Sequence, residues 1–460
     1  VDILSIVNEY EIPSEFDEEV QYEAERIPDK VSDKDIEGRL DLRNERTVTI
    51  DGEDAKDLDD AITLRKEGNQ YILGVHIADV SNYVKFGSST FNDAYNKGNS
   101  TYMADKVEPM LPIELSNGIC SLNEGVLRCA ITTLIEIDKN GNVVNKEIFP
   151  SIIKSRKKMN YDDVNKILNG QKVNGYEKYA DTLIKMNELA NILKKRRIEN
   201  GEIEFKSDEI KLIVDENGKL LEIKKHNDGK GESLIEQFMI ASNEASISLL
   251  TEITDYAVYR VHGKPSPKKI EEFVKFMSSL GYTLNAKFDY SDMSNKNVQK
   301  ILSTINGTKD EEILNAKLLR SMQKAVYSTD NIGHYGLASK KYTHETSPIR
   351  RFSDLLLHYL MKIALFDFDM GVSLEEVGRG LSEACEHISM TERRSDECEY
   401  EVNDMKIAEY MENHIGEEYE AIIDGLLKNG FFVKTTEFIE GFVSLDTVND
   451  YLSLSDDGLF

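Results

Sequence analysis

The hydrophobic pattern changes from strand-like to helical along the chain. From about residue 46 to residue 150 apolar and polar positions alternate, most clearly in Tyr71–Val84, and a period of two is typical of β-strands. Residues 155–200 are helical and basic, and Glu202–Ile223 predicts a hairpin with its turn at Glu216–Gly218. Apolar stripes and capping residues predict further helices at Leu234–Leu250, Ser266–Leu280, Phe352–Leu365 and, as one long helix, from Ser373 toward Glu412. Strands followed by helices in this way predict an α+β fold.

The two ends of the chain differ from this central part. Residues 1–45 are polar, helical and then irregular, and they predict a linker that follows a missing upstream part. Near Gly416 strand patterns return: Glu418–Lys434 predicts strand, Asn-Gly turn and strand, and Phe438–Leu445 adds another strand. These strands resemble the opening of a small OB barrel. Roughly 45 residues are too few for all five strands, so we expect the barrel to be truncated.

The most acidic stretch is Asp51–Asp60, DGEDAKDLDD, in which six of ten side chains are carboxylates. It separates two strand-like runs, Thr47–Ile50 and Ala61–Leu64. Carboxylates held this close repel one another, so at least one of them takes up a proton unless the cluster binds a cation. Mg²⁺ prefers oxygen ligands and keeps several waters, which suits such a cluster when a phosphate supplies the missing ligand. The run therefore suggests metal-assisted phosphodiester chemistry.

Two plainer interpretations of this run compete with a magnesium site: a solvated loop, which stays open, and a calcium-binding loop, which fits poorly. Most Asp-rich decamers are solvated loops. A calcium-binding EF-hand requires a glycine at the sixth position of its loop, but frames that start at Asp51 and Asp57 place Lys56 and Ile62 there. The flanks of the run are also strand-like, whereas an EF-hand loop lies between helices.

Composition limits the classes of protein that fit. The formal net charge of -28 argues against a uniformly basic nucleic-acid-binding surface. Local basic clusters could still line a groove inside an acidic shell: Lys154–Lys158, Lys194–Arg197, Lys224–Lys225, Lys340–Lys341 and Arg350–Arg351. No apolar run reaches the ~18 residues of a membrane span. The four cysteines lack CxxC spacing, so we expect reduced thiols, a cytoplasmic location and no membrane partner.

A series of spaced motifs resembles one family. The motifs are TIDGEDAKDLDDA (Thr49–Ala61), GVHIADVSNYV (Gly74–Val84), GNSTYM (Gly98–Met103), PMLP (Pro109–Pro112), ICSLNEG (Ile119–Gly125), LIEQFMIASNE (Leu234–Glu244), YRVHGKP (Tyr259–Pro265), HYGLA (His334–Ala338) and YTHETSPIRRFSDLLLH (Tyr342–His358). In this order they resemble the RNase II/RNase R exoribonucleases, which share an RNB domain. GEDAKDLDD and the lead-in EIPSEFDEEV resemble the bacterial RNase R subgroup in particular.

The resemblance implies three regions. Residues 1–45 would be a helical lead-in after missing cold-shock OB domains, residues 46–413 an RNB catalytic domain around an RNA channel, and residues 414–460 a partial OB-fold RNA-binding domain. It also implies a metal site. Asp51, Asp57, Asp59 and Asp60 match the magnesium-binding aspartates, which would hold two Mg²⁺ ions, with Mn²⁺ as a substitute. Asp59 matches the one whose loss removes catalysis but leaves RNA binding.

The resemblance also implies contacts with RNA. Tyr102 matches the aromatic residue that stacks on the terminal base, and Phe205 matches a second aromatic more loosely; stacking contributes about 1–3 kcal/mol per base and tolerates any sequence. Arg350 matches the arginine that grips the phosphate near the scissile bond, with Arg351 as the alternative. Glu392 matches a glutamate near the 3′ end. Without the motifs, such residues are usually core aromatics or solvated charges.

Together with these residues, the resemblance implies a processive, hydrolytic 3′-to-5′ exoribonuclease. It would act as a monomer in RNA turnover and degrade single-stranded RNA to 5′-nucleoside monophosphates. The motif histidines are interpreted as structural hydrogen-bonding groups, because the carboxylates already offer hard ligands: His76, His262, His344 and His358. Two rivals are an RNA-binding protein of this fold without catalysis, which predicts losses among the aspartates, and an acidic Ca²⁺-chelating protein, which leaves SPIRRF unexplained.

Overall fold

The computed structural model describes residues 3–206, 209–284 and 288–449. The strands there are β1 Leu40–Asp41, β2 Val48–Asp51, β3 Asp60–Glu67, β4 Gln70–Ala78, β5 Thr101–Tyr102, β6 Val107–Glu108, β7 Leu127–Ile137, β8 Val143–Lys154, β9 Lys157–Asn160, β10 Ile210–Val214, β11 Leu220–Lys225, β12 Tyr259–Val261, β13 Val326–Ser328, β14 Ala421–Leu427, β15 Gly430–Thr435 and β16 Glu440–Ser444.

The α-helices in the same ranges are α1 Ile3–Glu9, α2 Glu18–Ala24, α3 Asp33–Ile36, α4 Ser89–Lys97, α5 Tyr161–Leu168, α6 Ala180–Asn200, α7 Lys230–Leu250, α8 Pro267–Ser279, α9 Asn295–Ile305, α10 Glu311–Ser321, α11 Phe352–Ala364, α12 Leu374–Arg379 and α13 Leu381–Glu412. Short 3₁₀ segments cover Val80–Asn82 and Leu445–Thr447, and a π-helical turn covers Glu114–Ile119. None of the described helices is both long and apolar enough to cross a membrane.

A mixed seven-stranded sheet organises the first half of the described chain, in the order β1-β8-β7-β4-β3-β2-β9. Successive side chains of a strand point to opposite faces, so each face has its own core. Ala61 on β3 contacts the core that contains α11, whereas its neighbour Ile62 belongs to the core of α5, α6 and α7. The predicted α+β fold is confirmed, with helices covering both faces of this sheet.

The sheet register brings the acidic strand ends together. β2 runs antiparallel to β3, with Val48 opposite Ile62. Because β2 ends at Asp51 and β3 begins at Asp60, these two carboxylates lie at the same edge of the sheet. The residues between them form a loop at that edge.

Helix α11 is anchored deep in the molecule. Its residues from Phe352 to Lys362 are all buried, as expected for a helix that is apolar on nearly all sides. At its far end Lys362 Nζ lies 2.7 Å from Asp79 Oδ1, and the same carboxylate pairs with Arg39. A buried charge requires such partners. This network holds α11 against the sheet and so positions the residues that precede its first turn.

Two predicted elements differ in their boundaries. The predicted long helix from Ser373 is two helices, α12 and α13, because the chain turns at Gly380; the capping box of Ser373 and Glu376 is confirmed. In the predicted hairpin, β10 begins only at Ile210, and Asp215 and Lys219 close the turn by a hydrogen bond. Residues 207 and 208 of that segment lie outside the described part.

The C-terminal sheet has the order β14-β15-β16. The predicted Asn-Gly turn was wrong by one position: Leu427 pairs with Gly430, so Lys428 and Asn429 form the turn. The first residue of β15, Gly430, has to be a glycine, because a Cβ there would lie 2.3 Å from the Phe442 ring. The truncated OB barrel expected over residues 414–460 stays a prediction, and residues 450–460 of that range lie outside the described part of the chain.

Candidate active site

A cavity of about 1030 Å³ opens at the acidic edge of the sheet. Its walls come from strand ends, from the loop after β2 and from the segment before α11. Most of the site residues predicted from the sequence line this cavity: Asp51, Asp57, Asp59, Asp60, Tyr102, Arg350 and the alternative Arg351. The fold thus brings together residues up to 300 positions apart.

The segment before α11 contacts the aspartates directly. The backbone N–H of Ile349 donates to Asp59 Oδ1 at 2.8 Å, and both groups are buried. Arg350 Nε lies 3.7 Å from Asp59 Oδ2. Asp59 is thereby fixed in orientation, and the guanidinium lies beside the carboxylate cluster.

The carboxylates are poorly solvated. Burial raises the pKa of Asp59 well above its usual range, and the nearby guanidinium of Arg350 only partly offsets this. Burial, together with the charge of Asp51, raises the pKa of Asp60 to about 7. Asp60 Oδ2 is buried and has no hydrogen-bond partner among the described residues. Burial also raises the pKa of Asp51. The cluster therefore has more negative charge than its surroundings stabilise.

These residues fit a hard divalent cation. Within the described ranges, no group of three or more Asp, Glu, His or Cys side chains is already placed to hold an ion. Mg²⁺, however, keeps several waters and commonly uses one or two carboxylates together with substrate phosphate oxygens. The unpartnered Asp60 oxygen and the buried Asp59 carboxylate supply that chemistry. Two such ions at these aspartates remain a prediction.

The two adjacent arginines have different surroundings. Arg351 Nη2 pairs with Asp354 Oδ2 at 2.8 Å, and the Asp354 side chain is fully buried. The side chain of Arg350 is 43% exposed, and its Nη2 donates to Ser347 Oγ at 3.0 Å. Arg351 is thus held by a buried carboxylate, whereas Arg350 is the more exposed of the two. That Arg350 binds the phosphate remains a prediction.

The other residues predicted to contact RNA lie in different parts of the structure. Tyr102 is 37% exposed in the cavity wall, with its hydroxyl 3.5 Å from Asp57 Oδ2. Phe205 instead packs against a separate core that contains Ile203, and it is not among the residues that line the cavity. Its role as a second base contact remains a prediction. Glu392 forms two hydrogen bonds, of 2.7 and 3.0 Å, with Arg260.

Two cavity residues were missed by the sequence analysis. Arg260 lines the cavity, pairs with Glu392 and lies over the Tyr327 ring at 4.5 Å. It stands in the YRVHGKP motif, which was a usable signal. Tyr161 begins α5 beside the aspartates, and burial raises its pKa. We find no local pattern that distinguishes it from other tyrosines.

The histidines behave as the structural groups expected. His76 lies between Thr63 and Thr132, with ring nitrogens 3.0 and 2.8 Å from their hydroxyls. Burial lowers the pKa of His76 to about 3, so it stays neutral. His344 Nδ1 is 2.9 Å from the Tyr327 hydroxyl. The two remaining motif histidines contact backbone carbonyls instead. His262 Nε2 contacts the carbonyl of Gln323, and His358 Nε2 contacts the carbonyl of Glu345.

The raised pKa of Asp60 predicts how stability depends on pH. The folded protein keeps a proton on Asp60 up to a pH of about 7, whereas the unfolded chain releases it near pH 4. The contribution of Asp60 to the free energy of unfolding of the metal-free protein should therefore decrease as the pH rises from about 4 through 7. Urea unfolding in EDTA at pH 5 and pH 8 measures this. Asp60→Asn should reduce the difference between the two pH values, and exposed Glu53→Gln should not. An unchanged difference in Asp60→Asn would contradict the assignment.

Comparison with known proteins is consistent with this geometry. The family model of the RNB domain matches residues 39–367. Ribonuclease R of Thermotoga maritima is 42% identical over 463 residues, covering 98% of this chain and 64% of that protein. A structure of Mycoplasma genitalium RNase R in complex with ribose methylated single-stranded RNA has a TM-score of 0.93 at 28% identity, covering 99% of this chain and 72% of that one. A structure of the same protein in complex with double-stranded RNA has a TM-score of 0.91 at 29% identity, covering 96% and 79%.

The match therefore extends over nearly the whole chain, but the chain spans less than two thirds of the length of the Thermotoga relative. The aspartates and Arg350 all lie within the matched domain. By the extent and identity of these matches, the chain belongs to the RNB-domain family, in the ribonuclease R group.

Proposed function

We propose that this chain is the catalytic part of a 3′-to-5′ exoribonuclease that hydrolyses single-stranded RNA. The observation that carries the proposal is the convergence of Arg350 with Asp51, Asp57, Asp59 and Asp60 in one cavity. Buried carboxylates suit a metal, and an accessible guanidinium suits a phosphate. The relatives support the substrate class, because they are named ribonuclease R and one of them was solved with single-stranded RNA.

In this proposal each side chain has one task. Arg350 binds the phosphate next to the scissile bond, and its planar fork can donate two parallel hydrogen bonds to phosphate oxygens. Asp59 is held by the Ile349 N–H, so its other oxygen faces Arg350 and the cavity. Mg²⁺ bound by the aspartates would supply Lewis-acid activation of water and stabilise charge on the leaving 3′ oxygen.

Binding the terminal nucleotide falls to the cavity walls. Tyr102, at the rim of the carboxylate cluster, offers an aromatic face on which any base can stack. Such indifference to sequence suits an enzyme that removes nucleotides processively and releases 5′-nucleoside monophosphates. Glu392 is not among the residues that line this cavity; it would act near the 3′ end through its pairing with Arg260, which does line it.

A second candidate, an RNA-binding protein without catalysis, fits less well. It requires no carboxylates in the cavity, yet all four matching aspartates are present and converge. Buried carboxylates without a function would be costly to keep. The enzyme proposal also includes two Mg²⁺ ions with Mn²⁺ as a substitute, a monomeric state and a cytoplasmic location, each of which needs its own measurement.

A labelled oligonucleotide tests the proposal. The whole chain is incubated with 5′-labelled oligo(A) and Mg²⁺, alone and as the overhang of a duplex. In a rapidly quenched time course of a single encounter, we expect the labelled RNA to pass through shorter lengths as its 3′ end is removed, before any short labelled end product appears. Immediate release of labelled mononucleotide would indicate the opposite direction, and intact label over the whole time course would favour the binding protein.

A further inference from the structure

The acidic loop, residues 52–58, is fixed by hydrogen bonds near both of its ends. It leaves β2 after Asp51 and carries Asp57 into the cavity. Near its start, Lys158 Nζ donates to the backbone carbonyls of Glu53 and Ala55 at 3.1 and 2.5 Å. At its end, the loop meets the segment that follows the π-helical turn. The placement of Asp57 therefore depends on how that second end is fixed.

A single hydroxyl fixes the backbone on both sides of Asp57. Ser121 Oγ donates to the carbonyl of Lys56 at 2.6 Å and accepts from the N–H of Leu58 at 2.9 Å. Serine has one donor and acceptor lone pairs, so one side chain can make both bonds. Ser121 is fully buried, and so is its hydrogen bond with the Leu58 N–H; its bond with the Lys56 carbonyl is part-buried.

The support behind Ser121 is also built from specific contacts. The buried Arg128 donates from Nε to the Ser121 carbonyl at 2.8 Å and from Nη2 to that of Gly118 at 3.2 Å. Gly118 departs from helical backbone angles inside the π-helical turn, and its carbonyl also accepts from the Ser121 N–H at 3.2 Å. The N–H of Leu122 donates to the carbonyl of Leu58 at 3.0 Å, so Leu58 is held through both its backbone groups.

We infer that Ser121 is a positioning residue: its hydroxyl fixes the acidic loop so that Asp57 faces the other cavity aspartates. This inference rests on the proposed function, since it assigns Ser121 to the same site. Loss of the hydroxyl leaves the buried Leu58 N–H unpaired and removes the partner of the Lys56 carbonyl, and the loop then relaxes to satisfy them. Groups that orient metal ligands typically change metal affinity or activity by about 10–100-fold when removed.

The test compares Ser121→Ala with Ser151→Ala in the whole chain. Ser151 is equally buried but lies away from the acidic loop. Its hydroxyl is 2.7 Å from that of Thr132, on the neighbouring strand of the seven-stranded sheet. Mn²⁺ binding without RNA is titrated by electron paramagnetic resonance, and kcat and KM are measured on single-stranded RNA. We expect Ser121→Ala to bind Mn²⁺ about tenfold more weakly and to lower kcat with KM within about twofold, whereas Ser151→Ala binds Mn²⁺ as the unsubstituted chain does.

Ser121→Cys is a second variant that keeps the test decisive if Ser121→Ala misfolds. Its thiol is nearly isosteric but is a weak donor and acceptor, so Mn²⁺ affinity should fall between those of Ser and Ala. Equal Mn²⁺ affinity in Ser121→Ala and Ser151→Ala, or in Ser121→Cys and the unsubstituted chain, would overturn the inference. If the unsubstituted chain binds Mn²⁺ but does not hydrolyse RNA, the proposed function fails while the affinity comparison still decides the role of Ser121.

Discussion

Asp59→Asn is expected to abolish RNA hydrolysis and to leave RNA binding intact. The amide oxygen can still accept from the Ile349 N–H, so the fold around the site should persist. The charge that would hold a cation is lost, however. Metal stabilisation of the transition state contributes several kcal/mol, and each 1.36 kcal/mol is tenfold in rate, so kcat should fall by about 10³-fold. The dissociation constant for oligo(A) in EDTA should change by less than about threefold, because the RNA contacts elsewhere are untouched.

A stability measurement separates this effect from misfolding. A neutral amide is less costly to bury than the poorly solvated Asp59 carboxylate, so Asp59→Asn should unfold at an equal or higher temperature than the unsubstituted chain in EDTA. Glu53→Gln, an exposed substitution in the same acidic run, serves as the control and should keep full activity. If Asp59→Asn keeps more than about a tenth of the original rate of hydrolysis, the Asp59 carboxylate is not essential for catalysis.

Arg350→Ala is expected to lower kcat by about 10²-fold, which is typical when one preorganised donor to a developing charge is removed. Arg350→Lys should recover only part of this, because an ammonium is a point charge and cannot form the planar fork. Both variants should keep the thermal midpoint within a few degrees, since the Arg350 side chain is 43% exposed. Steady-state kinetics on oligo(A) and thermal unfolding measure these effects.

Arg351→Ala is the matched comparison and should behave differently. It leaves the fully buried Asp354 without its ion-pair partner, so we expect a lower thermal midpoint. A marked loss of kcat with an unchanged thermal midpoint in Arg351→Ala, together with nearly normal kinetics in Arg350→Ala, would assign the phosphate contact to Arg351 instead.

Local patterns were sufficient to predict the elements that carry the site. The strand-like runs on both sides of DGEDAKDLDD place Asp51 and Asp60 at strand ends, and the β2–β3 pairing confirms that these ends meet. Helix α11 begins at Phe352, as its apolar run predicts. The boundaries at Gly380 and Gly430 were predicted less well, because they depend on packing and sheet register and not on turn composition alone.

The long-range contacts of the site could not be read from local patterns. The hydrogen bond from Ile349 to Asp59 joins residues 290 positions apart, and only the tertiary fold determines it. The same holds for the bonds of Ser121 to the acidic loop and for the pair of Arg260 and Glu392. The motifs indicated that Asp59 and Arg350 are functional residues. They did not indicate which partner each residue contacts, and Phe205 lies in a different core from the cavity residues.

The most direct test of the central claim is to follow oxygen from solvent into the product. Oligo(A) is degraded by the whole chain in H₂¹⁸O with Mg²⁺, and the products are analysed by mass spectrometry. Water activated at the carboxylate cluster predicts 5′-AMP with one ¹⁸O in its phosphate, formed with Mg²⁺ and absent with EDTA. Unlabelled 5′-AMP, a 2′,3′-cyclic phosphate or a nucleoside 3′-phosphate, or cleavage that continues in EDTA, would contradict metal-assisted hydrolysis at Asp51, Asp57, Asp59 and Asp60.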